Sequence, residues 1–191
     1  MWVTGVLLLL VLSTAVNVAQ AQRIRMLASR SESQVRLVGT RVAAIHASSL
    51  DGKPIEIEVG RGLPTVFYYF SSTCGWCERN WANFEALAQG GGDRYRFVAV
   101  SAEKGLRPFV EKRGLRVEVF EQLSDETLLA LRLVGTPTTI VVGADGVITH
   151  DWRGAYSERL VRQIEDLFGV NLPGLQSAVP QGTGRGQGFQ K

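Results

Sequence analysis

Phe70-Ser71-Ser72-Thr73-Cys74-Gly75-Trp76-Cys77-Glu78 is the stretch on which the reading of this chain turns. Upstream of it, Thr65-Val66-Phe67-Tyr68-Tyr69-Phe70 is a continuous apolar and aromatic run, the pattern of a central strand buried on both faces. Downstream, Trp81, Phe84, Leu87 and Ala88 recur at helical spacing until Gly90-Gly91-Gly92. Trp81 and Phe84 therefore read as core residues. The chain's only two cysteines stand where a strand ends and a helix begins.

A C-x-x-C at that junction can be a haem attachment, half of a metal site, a structural staple or a redox dithiol. Haem attachment needs His directly after the second cysteine, and Glu78 stands there. A structural zinc site needs four ligands, and the two histidines, His46 and His150, are isolated and far apart. They read as ordinary half-buried or surface residues, and no metal or cofactor is expected. As a staple, a four-residue loop contributes only about 2 kcal/mol, against ~4.7 for a loop of about 100 residues. A dithiol switch suits the position better. The first cysteine of such a helix lies beside unpaired backbone N–H groups and the positive end of the helix dipole, which favour thiolate over thiol. Cys74 is thus the expected nucleophile, and Cys77, one turn further in, the shielded partner that closes the disulfide.

The rest of the chain supplies the frame. Val42 to Ala47 and Ile55 to Val59 form a predicted hairpin about Asp51-Gly52. Tyr95 to Ser101 reads as a buried strand, and Arg107-Pro108-Phe109-Val110 opens a short helix closed by Gly114. The alternation of strands and helices favours parallel pairing through crossovers. Val117 to Phe120 is a short strand candidate; Ser124 caps a helix carrying Leu128 to Leu133 and ending at Gly135. Thr138 to Val142 and Val147 to Trp152 make an antiparallel hairpin. Ser157 is placed to cap a last helix with Leu160, Ile164 and Leu167 on one face and Val161 and Phe168 beside them. Four domains of behaviour follow: a leader over 1–21, a linker over 22–40, a folded domain over 41–170, and a disordered Gly-rich tail over 171–191.

With 191 residues, 45% of them hydrophobic, the chain has material for one well-cored domain plus appendages. Its formal net charge is +3 and its basic residues are scattered among acids, so no nucleic-acid partner is expected. Trp2 to Val18 is nearly all apolar, and Ala19-Gln20-Ala21 fits a small-x-small cleavage pattern. Residues 1–21 read as a signal peptide, or residues 2–18 as an N-terminal membrane anchor. No Lys or Arg precedes the run, while Arg23, Arg25 and Arg30 follow it, which by the positive-inside tendency pulls the other way. The expected location is periplasmic or otherwise exported, free or anchored to the inner membrane.

Taken together, Cys74-Gly75-Trp76-Cys77 after an apolar strand, Gly135-Thr136-Pro137-Thr138-Thr139 opening a later one, and Asp145-Gly146-Val147-Ile148 before the final helix resemble the thioredoxin superfamily, specifically its exported TlpA/ResA-type thiol:disulfide oxidoreductases. The resemblance spans roughly residues 40–170. It implies an α/β, thioredoxin-like fold with a central mixed β-sheet flanked by helices, here with an N-terminal β-hairpin extension. It also implies a cis Thr136–Pro137 bond beside the dithiol, whereas from the residues alone Pro137 reads equally as a strand-start proline. Thr136 would then offer main-chain hydrogen bonds to an extended substrate. Trp76 reads either as an aromatic that touches the partner or as one packed on its own domain.

The pattern departs from that family at several places. Thr73 stands where a Trp is usual, Gly75-Trp76 replaces the commoner Pro-containing pair, and Ala82 replaces a Pro. Asn80 stands where such proteins commonly carry a functional Glu, and Tyr68 where thioredoxins carry a buried Asp. Glu78, a first-turn carboxylate, reads as a solvated partner of the helix dipole. The expected function is an exported oxidoreductase exchanging disulfides with protein dithiols and disulfides through Cys74 and Cys77, as reductant, recharged by an upstream thiol donor. The alternatives are a partner-binding module with a static disulfide and a peroxide-reducing thiol enzyme.

Overall fold

The computed structural model describes residues 5, 13, 14, 16–22, 37–42, 44–60 and 62–177. The chain divides into two compact units, Met1–Arg36 and Leu37–Lys191. In the first, the described residues are helical. Among the described residues no helix is long and apolar enough to cross a membrane. Most of the candidate leader or anchor lies outside the described residues, as do 23–36 of the expected linker and 178–191 of the expected tail.

The second unit is built in the order β1 (Ile45–Ser49), β2 (Pro54–Ile57), β3 (Thr65–Tyr69), α1 (Gly75–Gly91), β4 (Arg96–Val100), α2 (Arg107–Arg113), β5 (Glu118–Glu121), α3 (Asp125–Ala130), β6 (Thr138–Val142), β7 (Ile148–Arg153) and α4 (Glu158–Phe168). Seven strands form one mixed sheet in the order β2-β1-β5-β4-β3-β6-β7. The β3-α1-β4 and β4-α2-β5 crossovers are parallel, as the alternating pattern predicts, and both hairpins are antiparallel. The N-terminal hairpin joins the sheet by pairing Ser48 with Glu121 and Ser49 with Phe120.

Alternation along the strands sorts the core into two layers. Val66, Tyr68 and Phe70 face the side covered by α1, α2 and α4, where they meet Trp81, Phe84, Phe109 and Phe168. Phe67, Val98, Val100 and Ile140 face the other side, with Ile45, Leu131, Leu133 and Leu37. β3 is buried over its first four residues because helices or loops cover it on both faces.

Two helix ends differ from the sequence reading, and one expected cap makes no side-chain bond. α1 continues through Gly90 and Gly91, because Gly91 lies against the Phe97 ring where a Cβ would come within 3.0 Å of it. α3 stops at Ala130, short of Leu133 and Gly135: Arg132 takes a positive φ of 48°, its N–H bonds Leu129 O, and the Leu133 N–H reaches back to Leu128 O. That Schellman turn folds Leu133 onto Leu128, an apolar closure that outweighs the cost of a left-handed arginine. Ser157 does stand at the N-cap of α4, but its side chain makes no capping bond.

Residues on both margins of the domain are tied down. Leu37 is buried, and the Gly39 N–H and Thr40 O exchange hydrogen bonds with Ile148. Residues 171–177 carry no regular element, yet the Leu172 N–H bonds Glu165, the Gly174 N–H bonds Asn83 and the Gln176 N–H bonds Arg79 O.

Candidate active site

β3 pairs with β6 in a register that sets Tyr69 opposite Thr138. The chain entering the dithiol turn and the chain leaving Pro137 therefore run side by side. Cys74 is the N-cap of α1, with extended φ −79° and ψ 111°. Its Sγ accepts a hydrogen bond from the Cys77 N–H at 3.2 Å, the position that Ser or Asp takes in ordinary N-caps. The Glu78 N–H bonds Cys74 O at 3.0 Å and starts the helix ladder. Both cysteines are free thiols; Cys74 is partly exposed and Cys77 fully buried.

The two thiols are pushed in opposite directions. Burial works against the Cys74 thiolate, but hydrogen bonds from the Cys77 thiol, from Thr136 and from the Cys77 and Trp76 N–H groups outweigh it and hold Cys74 below the usual thiol range. Burial pushes Cys77 up to about 12, with the neighbouring Cys74 adding to the rise. The thiolate is thus favoured at Cys74 and disfavoured at Cys77.

The Thr136–Pro137 bond is cis, as the family resemblance implies. As a thiol, Cys74 donates to the Thr136 carbonyl oxygen at 3.5 Å. Pro137 is buried, its carbonyl accepting from the Gly154 N–H at 2.8 Å. Trp76 leaves 55% of its surface exposed, with the Arg79 guanidinium 4.7 Å from its ring centroid. Val134, two residues before Thr136, is 88% exposed. All five residues singled out from sequence, Cys74, Cys77, Trp76, Thr136 and Pro137, thus belong to one end of the sheet, where an apolar rim adjoins a partly exposed sulfur.

Further residues shape the site: Glu78, Tyr68 and Asn80 were noted from sequence as departures from the family pattern, whereas Glu103, Arg113, Asn83 and Tyr156 were not found there. Glu103, in the loop after β4, accepts from the Ser72 N–H at 3.0 Å and from the Ser72 hydroxyl at 2.5 Å. Burial raises the Glu103 pKa, but bonds from Ser71 and Ser72 outweigh it and keep the carboxyl below its ordinary range. Glu78 is the exposed first-turn carboxylate expected, and it also pairs at 2.7 Å with Arg113 of α2, whose guanidinium lies over the faces of Trp81 and Phe109. Beneath the dithiol, Tyr68, Asn80, Asn83 and Tyr156 are buried and hydrogen-bonded to one another. The polar residues at 80 and 83 within an apolar helical face were the available signal for that cluster; Glu103 and Arg113 offered none.

No protein-family profile matches the chain, and no curated protein does. Solved structures do match. The thioredoxin domain of a thiol-disulfide oxidoreductase from Bacteroides vulgatus superposes with TM-score 0.58 at 17% identity, covering 69% of this chain and 97% of that one. StoA from Bacillus subtilis gives TM-score 0.53 at 17% identity, covering 65% and 98%. A secreted Mycobacterium tuberculosis disulfide oxidoreductase homologous to Escherichia coli DsbE gives 0.50 at 18% identity, covering 65% and 91%. The mixed sheet with its flanking helices is a thioredoxin fold, as the motifs implied.

Proposed function

We propose that this protein is a thiol:disulfide oxidoreductase that exchanges disulfides with partner proteins through Cys74 and Cys77. The observation that carries the reading is the asymmetry of the pair: a partly exposed N-cap sulfur with its pKa lowered, next to a buried thiol held near 12. The Cys74 thiolate attacks a partner disulfide, a mixed disulfide forms, and the first partner sulfur leaves as thiolate. Cys77 then attacks the Cys74 sulfur, releasing the second partner sulfur and closing the Cys74–Cys77 bond. Trp76 and Val134 form an apolar rim for the partner, and Thr136 offers it main-chain hydrogen bonds beside Pro137. The reducing direction, with an upstream thiol donor to restore the dithiol, follows the TlpA/ResA-type resemblance. An exported location is supported by the apolar N-terminal run and by the likeness to a secreted oxidoreductase.

Disulfide reduction followed on insulin, with dithiothreitol as donor, tests the reading. Cys74→Ser is expected to reduce turnover to the uncatalysed rate, and full activity of that variant would sink the proposal.

A further inference from the structure

Beneath the dithiol runs a chain of hydrogen bonds whose direction can be followed atom by atom. The Gly174 N–H donates to Asn83 Oδ1 at 2.9 Å, and Asn83 Nδ2 donates to Asn80 Oδ1 at 3.0 Å. The Tyr156 N–H donates to the same Asn80 oxygen at 3.0 Å. A backbone N–H only donates, so the Asn80 amide can face one way alone. Its Nδ2 is thereby turned to the Tyr68 hydroxyl oxygen, 3.3 Å away. Tyr68 accepts that bond, and its own O–H is left over as a donor.

No hydrogen bond among the described residues uses that proton. The charges that reach Tyr68 are those of Tyr156, Cys77 and Cys74. Tyr156 is already engaged with Thr139 Oγ1 at 2.8 Å. Asn80, which aims the tyrosine, lies one helical turn beyond Cys77 on the same buried face of α1. In the resting dithiol no hydrogen bond among the described residues joins the Tyr68 O–H to either sulfur, but the charges of Cys77 and Cys74 both reach it, so a thiolate forming there is the acceptor toward which that free proton can turn.

The proposed exchange reaction has a need that matches this donor. In the resolving step the Cys77 sulfur bonds to the Cys74 sulfur, the bond from Cys74 to the partner sulfur breaks, and the electron pair leaves on the partner. The Cys77 proton ends on that departing thiolate. Negative charge therefore develops on a sulfur that is fully buried, where hydrogen-bond donors must offset the lost hydration; Ser71 and Thr136 already supply bonds to it, yet burial still outweighs them and holds its thiol high. Resting on the exchange reading above, we propose that Tyr68 is the donor to the Cys77 sulfur as it becomes a thiolate, and that Asn80 is the positioning residue that sets the donor's direction. Tyr68 does not act as a base. Burial first, then the charges of Tyr156 and the cysteines, hold its phenol well above the ordinary value, so it keeps its proton and lends only the hydrogen bond.

The other titratable groups facing Cys77 are Cys74 on its own helix and Tyr69 of β3, with Tyr156 behind Tyr68. The two carboxylates flanking the turn are committed elsewhere, Glu78 to Arg113 and Glu103 to Ser72. The site therefore stabilises its resolving thiolate with a neutral donor rather than an acid–base carboxyl.

Reaction of the reduced full chain with 5,5′-dithiobis(2-nitrobenzoate) separates the two steps, since Cys74 attack releases one thionitrobenzoate and Cys77 attack releases a second. Tyr68→Phe keeps the ring that stacks on Phe84 at 4.4 Å and deletes only the O–H. The expected result is an unchanged first release and a second release slowed at least about tenfold at neutral pH, its alkaline limb moved up by about one pH unit or more. An unchanged second release from a folded Tyr68→Phe protein overturns the inference and leaves the exchange reading standing. Absence of a second release from the wild-type chain overturns the exchange reading itself. Should Tyr68→Phe fail to fold, the carbon-13 Cζ resonance of Tyr68 in the wild-type chain decides. It is expected to move when Cys77 is replaced by Ala, and a stationary resonance rejects the hydrogen bond to sulfur.

Discussion

Glu103 shows how much of this site depends on one side chain that does no chemistry. Its carboxylate holds the Ser72 N–H and hydroxyl, and so fixes the turn Ser71-Ser72-Thr73 that delivers Cys74 to the N-cap of α1. Glu103→Gln weakens those charge-assisted bonds and, for a group this open to solvent, is expected to cost about 1 kcal/mol of stability, read from denaturant unfolding. The pH dependence follows from the direction of its shift. Its folded pKa lies below the unfolded value of about 4.3, so its contribution is complete above that value and is lost as pH falls through the folded pKa. The variant should therefore show a shallower loss of stability on the acid side than wild type. An identical acid limb would mean that the turn is held by other contacts.

At the scale of elements, α2 is clamped to the first turn of α1 through Arg113, which stacks 5.3 Å from the Trp81 centroid and ends on Glu78. Glu78 is 49% exposed, so the ion pair alone contributes about 0.5 kcal/mol, while losing the arginine stem and its cation–π contacts brings Arg113→Ala to about 1–2 kcal/mol. A double-mutant cycle with Glu78→Ala checks the division: the coupling should be the smaller part of the Arg113 loss, and a coupling equal to all of it would make the charge the whole effect. Elements of this kind were legible in sequence where their cause was local. The end of an apolar run at Phe70, a cysteine in N-cap position, Asp51-Gly52 and the apolar stripe of α4 each act within a few residues. What escaped was set by distant contacts. Pairing of β1 with β5, the end of α3 at Arg132 and the ties of residues 171–177 to α1 depend on partners that no local spacing encodes. The cis bond before Pro137 was reached through family resemblance, since the residues themselves allowed an ordinary strand-start proline.

Across the whole molecule, the sheet brings three remote segments to the dithiol: the end of β3, the loop after β4 and the loop before β6. The opposite end of the sheet has its own tight crossing, where Gly60, at φ +76°, passes the β6–β7 turn so closely that a Cβ would lie 2.9 Å from Gly146 Cα. Gly60→Ala combines a disfavoured backbone conformation with a clash against backbone and is expected to cost about 2 kcal/mol or more, seen as a lowered Tm with the chemistry of Cys74 unchanged in the folded protein. A Tm equal to wild type would show that this crossing opens freely. The central claim, that Cys74 attacks partner disulfides and Cys77 resolves them, is tested most directly by trapping with Cys77→Ser. Incubated with disulfide-containing proteins, this variant is predicted to accumulate mixed disulfides that map to Cys74 by mass spectrometry and dissolve on reduction. No adducts from Cys77→Ser, or equal adducts from Cys74→Ser, would contradict the account.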